Sequence, residues 1–298
     1  MEERLPECGP EIPFSDLRAD AYHWLTVYEA AFYPDKLDLA IVRYEPVLER
    51  FSELVEGADS SPDLLRRIMA EPAALRRDLL KLFARYVSPT TKTELLKKKE
   101  NTEATIRHLG DEFRPLPIVR DKLQQRPAVD EAIIAILDEH SNRGRSGYQL
   151  TEDFFLWFEA EFTAAKWTIQ GPRGAGRDLN LPDILPGFEK DMPVDFAISD
   201  AAGTLRAIGF ARYDTDRGGS QEDDRISGNA DKLSALMSFN RSRDLPIGIL
   251  YLNDGLGLTL GSMWRDYGEI ERIGEGIALV TTLKMAQAGR VSLAWLGS

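Results

Sequence analysis

One cysteine, three histidines and no long apolar run set the first limits on this 298-residue chain. Cys8 alone excludes an internal disulfide framework and a multi-cysteine zinc site, and it suits a reducing compartment. His23, His108 and His140 have no ligand spacing with one another. No apolar stretch approaches the length of a membrane span, and MEERLPECGPEIPF has no signal-peptide pattern, so a cytoplasmic protein without a membrane partner is expected. Ser220 has no histidine near it in sequence and no nucleophile elbow around it, which argues against a serine hydrolase. Internal repeats and low-complexity tracts are absent. An excess of positive charge is missing too: 37 Lys and Arg face 49 Asp and Glu, for a net charge of −12. Uniform acidity repels phosphate at long range, which excludes an indiscriminate nucleic-acid coat protein. It leaves room for a DNA enzyme, whose basic groove is local and whose metal site must itself be acidic.

What is present divides into two halves. Residues 15–140 carry apolar side chains at spacings of three and four and predict a mostly helical region, in SDLRADAYHWLTVYEAAFY, LDLAIVRYEPVLERFSELVEG and SPDLLRRIMAEPAALRRDLLKLFARYV. Ser61 with Pro62 suits a helix start, Pro89 a stop, and Gly110 the end of a further helix. The polar, glycine-bearing SNRGRSGYQ marks the boundary, so the domains are read as 1–145 and 146–298. Beyond it, Thr151 predicts the cap of a buried helix with an aromatic stripe at Phe154, Phe155 and Phe158. VDFAIS (194–199) and LRAIGFARY (205–213) predict a hairpin joined by Asp200–Gly203. A helix over GNADKLSALMSFNRSR and two apolar strands, PIGILYLN (246–253) and GIALVTTL (276–283), complete the pattern. This order predicts an α/β half, α+β overall, with a mixed sheet flanked by helices.

The chemistry concentrates around that hairpin. Asp195 sits among apolar residues at the start of its first strand, and a carboxylate drawn toward a sheet needs hydrogen bonds, neutralisation or a cation. Strand alternation places Phe210, Arg212 and Asp214 on one face and Gly209, Ala211 and Tyr213 on the other. Asp195, Arg212 and Asp214 are therefore expected to converge at one end of the sheet, with Glu161 arriving from the aromatic helix. Two or three oxygen ligands with open positions suit Mg²⁺. The loop after the helix, QGPRGAGRDLN, has Gly171, Gly174 and Gly176 for close backbone approach, and Arg173 and Arg177 for phosphates, but it is not a P-loop.

This order of features resembles the core of PD-(D/E)XK nucleases, in particular type II restriction endonucleases. The features are an acidic residue on a helix, a glycine-bearing loop, an Asp opening a strand, a second hairpin strand with polar residues at its end, and then a helix. The resemblance covers about residues 151–260. PVD at 193–195 corresponds to the PD element with one residue inserted, whereas Phe210 and Arg212 stand in the acidic and lysine positions. It implies a restriction-endonuclease-like sheet and Mg²⁺-dependent hydrolysis of double-stranded DNA. Asp195 would hold the ion, with a second carboxylate from Asp214, Glu222, Asp223 or Glu161, and Arg212 would offset phosphate charge. It further implies a homodimer, and a cognate methyltransferase in the same system without direct contact. Arg217 and Arg225 are candidate DNA contacts in the following loop, Arg225 as a guanine reader. In the helical half, Lys97 and Lys98, with Thr90, Thr91 and Thr93, are candidates for the DNA backbone. Trp264, Arg265 and Tyr267 are expected to meet DNA or a second subunit. The alternative is a catalytically inactive DNA-binding or regulatory protein on a nuclease-like fold.

Overall fold

The structure, a computed structural model, describes residues 6–29, 31–96, 98–142, 145–174, 176–215, 220–241, 246–274 and 276–297, without the side chains of 140–142, 145 and 220–225. In chain order the helices are α1 (Ala21–Trp24), α2 (Asp35–Gly57), α3 (Ser61–Ala70), α4 (Ala73–Tyr86), α5 (Asn101–Leu109), α6 (Leu116–Gln124), α7 (Glu131–Asn142) and α8 (Arg145–Phe162). Strands β1 (Thr168–Gln170) and β2 (Leu179–Asn180) come next, followed by α9 (Leu181–Ile184), β3 (Pro193–Val194), β4 (Phe196–Ser199), β5 (Leu205–Tyr213), α10 (Ser220–Asn240) and β6 (Gly248–Asp254). The chain ends with α11 (Met263–Ile273), β7 (Ala278–Thr281), α12 (Leu283–Gln287) and α13 (Leu293–Leu296). Among the described residues no helix is long and apolar enough to cross a membrane.

Two compact units result, one of Ala30–Arg143 and one combining Met1–Glu29 with Gly144–Ser298. The first is all helical among its described residues. Its α2 buries Tyr44, Leu48, Phe51 and Val55, a stripe at helical spacing, against Leu64, Leu65 and Ile68 of α3 and Leu79 and Phe83 of α4. The cap of α3 is Ser60, whose hydroxyl accepts the Asp63 N–H, one residue before the expected Ser61. Pro72 then divides the expected single helix into α3 and α4, because the residue before a proline is held out of helical conformation and Glu71 has ψ 157°.

The second unit is α+β. Its five-stranded sheet has the order β1-β4-β5-β6-β7. β1, β4 and β5 run antiparallel, and β5, β6 and β7 run parallel. The parallel strands are buried on both faces, which explains the continuous apolar runs in their sequence. On one face α8 packs Phe154, Phe155 and Phe158 against Phe196, Ile198 and Leu250. Gly209 serves that packing, since a Cβ there would fall 1.9 Å from the Phe196 ring. On the other face Ile208, Phe210, Ile249 and Tyr251 meet Leu233 and Leu236 of α10 and Trp264 of α11. Thr151 lies inside α8, bonded to the Gly147 carbonyl, because the helix begins at Arg145.

The N-terminal segment departs furthest from expectation. In place of one helix over 15–33 it forms a 3-10 stretch at Phe14–Asp20, the single turn α1, and extended chain. Tertiary bonds override its helical spacing. Buried Arg290 donates to the carbonyls of Gly9 and Ile12 while pairing with Glu271. Buried Asp254 accepts the Thr26 N–H and hydroxyl. Residues 6–29 thus belong to the α/β unit and not to the helical one.

Candidate functional site

Asp195 occupies the break between β3 and β4. Its N–H donates to the Gly209 carbonyl at 2.9 Å, and its Oδ2 accepts the Ala211 N–H at 2.8 Å. Both contacts lie across the hairpin, so its backbone and one carboxylate oxygen are fixed against β5. Oδ1 has no hydrogen-bond partner among the described residues. Burial raises the carboxyl pKa, the Ala211 bond opposes that, Asp178 adds to it, and Lys232 lowers it.

Lys232 is the group that sequence reading missed. It projects from α10, which is anchored to β6 and to the residue that precedes it. The Tyr251 hydroxyl donates to the Asn229 carbonyl at 2.9 Å, and the Asn240 side chain brackets Ile247 with bonds of 2.8 and 3.1 Å. The ammonium rests 3.8 Å from the centroid of the Phe210 ring. Desolvation lowers its pKa, and Asp195 and Asp178 pull it back up. Yet Lys232 makes no ion pair within 4.0 Å among the described residues. The two part-buried charges thus act on each other without an ion pair among the described residues. Asp178, exposed at the end of the glycine-bearing loop, adds a second carboxylate. That loop is drawn against the site at Gly171, where a Cβ would fall 2.4 Å from the Asp195 carbonyl oxygen.

Among the described residues, no hydrogen bond or ion pair joins the other expected site residues to Asp195 or Lys232. Strand alternation holds, but Arg212 and Asp214 form their own pair, Nε to Oδ1 at 2.6 Å, with Asp214 buried and Arg212's side chain 39% exposed. Asp214 is four residues beyond Phe210, about 13 Å along the strand, too far to share an ion directly with Asp195. Glu161 is exposed on α8, the helix that covers the opposite face. Glu222 and Asp223 belong to α10 by backbone, but their side chains, like that of Arg225, lie outside the described residues, as do Arg217 and Lys97. Glu222 precedes Lys232 by ten residues, about 15 Å of helix axis. Arg173 is held between Glu152 and Glu159 and lies over the Phe155 ring, so its charge is already matched. Arg177 and Lys98 are exposed. Thr91 is buried, its hydroxyl bonded to Ser88. Trp264 and Tyr267 are core residues, Trp264 stacked on Phe14 at 4.4 Å, while Arg265 alone of that trio faces solvent.

No family model, curated protein or solved structure matches the chain. The geometry around Asp195 therefore bears the functional argument. Among the described residues no group of three or more His, Cys, Asp and Glu side chains is placed to hold a metal ion. What is present is one fixed carboxylate with an uncommitted oxygen, that of Asp195, and an exposed carboxylate, that of Asp178, whose charge acts on it.

Proposed function

We propose that the chain is a Mg²⁺-dependent endonuclease acting on double-stranded DNA, of the type II restriction class. The observation that carries this reading is the Asp195–Lys232 arrangement: a part-buried carboxylate, with one oxygen bonded to Ala211 N–H and the other without a hydrogen-bond partner among the described residues, and a part-buried ammonium over the Phe210 ring that acts on it without an ion pair among those residues. Maintaining two such charges costs stability, and sites that do so are enriched in chemistry. Lys232 stands on α10 over Phe210, supplying from the helix the cation that Arg212, committed to Asp214, does not bring to Asp195.

In this reading Asp195 and Asp178 would hold the ion. When bound, the ion supplies a more acidic water and charge neutralisation at phosphate. Oδ1 of Asp195 orients the attacking water. The Lys232 ammonium stabilises the charge that develops on the phosphoryl oxygens as the water oxygen bonds to phosphorus and the phosphorus–oxygen bond to the leaving strand breaks. The attacking water gives up a proton to solvent, and the departing oxygen takes one from solvent. The exposed edge of Arg212 can meet a neighbouring phosphate. Cutting both strands at a symmetric site calls for a homodimer. Such an enzyme would work in the cytoplasm, beside a methyltransferase that it need not touch.

One observation favours the inactive DNA-binding alternative: Phe210, in the acidic position, is a core residue stacked on Tyr251. Sequencing the ends of plasmid incubated with the protein and Mg²⁺ separates the two. Recurrent ends at one sequence support the endonuclease, and intact plasmid with sequence-specific binding supports the alternative.

A further inference from the structure

Asn253 is a buried polar side chain that the fold itself does not use. It sits near the end of β6, 3% exposed, and its carboxamide makes no hydrogen bond among the described residues. Burying an amide without a partner is rare in native chains, because the bonds it made to water are not replaced. The adjacent Asp254 shows what a structural role looks like at this place. It points to the other face of the sheet and accepts the N–H groups of Thr26, Gly255 and Leu283.

In the parallel register of β5 and β6, Asn253 lies directly beside Arg212, as Tyr251 lies beside Phe210 two residues earlier. Alternation puts all four on the sheet face that meets α10. The charge of Arg212 is matched, since its Nε donates to Asp214 Oδ1 at 2.6 Å. Its two terminal nitrogens make no hydrogen bond among the described residues, and its side chain is 39% exposed. Asp214 is itself fixed: its N–H donates to the Asp254 carbonyl, and its carbonyl accepts the Gly257 N–H, both at 2.8 Å. It therefore holds the guanidinium from one side and leaves the outer edge open.

The place offers donors, not excess charge: a guanidinium edge and a carboxamide N–H₂ side by side on neighbouring strands. Such a pair suits an oxyanion with several acceptor oxygens, and the guanidinium fork matches phosphate in particular. The carboxyl ends of parallel strands are also where open α/β sheets bind ligands. Two residues back along β5, a rise of about 7 Å, Lys232 lies over Phe210. A second phosphate-binding point at that interval would hold the substrate strand in register without reading its sequence.

We propose that Asn253 and Arg212 together bind one phosphodiester group of the DNA strand, neighbouring the one that is cleaved. The inference rests on the proposed function in taking DNA as the source of the phosphate. The test is a double-mutant cycle of Asn253→Leu, Arg212→Lys and the double variant, read by fluorescence anisotropy of a labelled duplex with the full chain in EDTA, beside thermal unfolding. Leucine is close to asparagine in shape but has no donor, and lysine keeps a charge opposite Asp214 while losing the fork.

The expected result is a roughly tenfold loss of affinity in each single variant, with Asn253→Leu melting at or above the parent. The double variant should bind only slightly more weakly than either single one, because both break the same contact. Asn253→Asp, which puts an anion in place of the donor, should bind more weakly than Asn253→Leu, by a margin that narrows as salt is raised. Parental affinity in either Asn253 variant would overturn the proposal, and together with a lower melting temperature it would mark the amide as structural. Losses that simply add would also overturn it, by assigning the two residues to separate contacts. Inorganic phosphate that displaces the duplex at equimolar phosphate would mark a small-anion site and overturn the assignment to DNA. A failure of the nuclease reading looks different: binding that depends on Asn253 and Arg212 but no cleavage on adding Mg²⁺.

Discussion

The ammonium of Lys232 lies 3.8 Å from the centroid of the Phe210 ring, so an aromatic side chain in the strand supports a cation delivered from a helix. This contact fixes Lys232 on the sheet face of Arg212, near the Asp195 carboxylate, without a direct ion pair. Removing the charge should lower cleavage by about 100-fold or more in Lys232→Ala, in line with losing a charge stabiliser at the phosphate. Lys232→Arg should retain more activity than Lys232→Ala. Single-turnover rates on plasmid measure both.

Neutralising either charge should stabilise the fold. Burial raises the Asp195 pKa, so the folded chain holds that proton more tightly than the unfolded chain, and ionisation costs stability as pH rises through the carboxylate range. Asp195→Asn should therefore melt above the parent at pH 7, and the advantage should fade toward about pH 4 and below. Burial lowers the Lys232 pKa, so the cost of its charge is present at pH 7 and is relieved as pH rises past the ordinary lysine value. Lys232→Met should also melt higher at pH 7. Scanning fluorimetry across pH tests both, and a fall in melting temperature for each variant would identify the pair as a structural ion pair instead.

The hairpin was legible because its residues obey period two. β5 spans 205–213 as read, and the alternation of Phe210, Arg212 and Asp214 with Gly209, Ala211 and Tyr213 divides the two cores. The apolar runs at 246–253 and 276–283 held as buried parallel strands, a few residues shorter in the second case. The start of the chain was not legible, because Arg290 and Asp254, more than 200 residues away, dictate its path. Lys232 escaped notice for a related reason. Within its own helix it is one polar residue among many, and only the crossing of α10 over β5 brings it to Asp195. The long interval between Phe210 and Asp214 could have been counted from strand rise alone, and would have separated the expected metal ligands.

Glu161→Gln should leave cleavage within about twofold of the parent, since Glu161 is exposed on the helix behind the sheet and its charge is not among those acting on Asp195. Initial rates on plasmid check this. A hundredfold loss would return Glu161 to the metal site.

Gly171→Ala should damage the site through its backbone. The added methyl would fall 2.4 Å from the Asp195 carbonyl oxygen and 2.8 Å from the Phe155 ring. Overpacking of this kind costs about 1–3 kcal/mol. The loop carrying Asp178 would be displaced with it, so both melting temperature and cleavage should fall, in contrast to Asp195→Asn, where only cleavage falls.

Asp254 is also a buried carboxylate near the sheet's end, but every bond assigns it to the fold. Its oxygens accept the N–H groups of Thr26, Gly255 and Leu283 and the Thr26 hydroxyl, at 2.7 to 2.9 Å. Asp254→Ala would orphan three backbone donors, each costing about 1–3 kcal/mol when buried. Chemical denaturation should show a large loss of stability, with residues 6–29 becoming open to proteolysis. A variant as stable as the parent would contradict this role.

The most direct test of the central claim is a plasmid digest in Mg²⁺ by the parent protein and by Asp195→Asn, both shown to be folded and to bind duplex in EDTA. The account predicts discrete fragments from the parent and none from Asp195→Asn. Undiminished cutting by Asp195→Asn, or intact plasmid from the parent with every divalent metal tried, would contradict it.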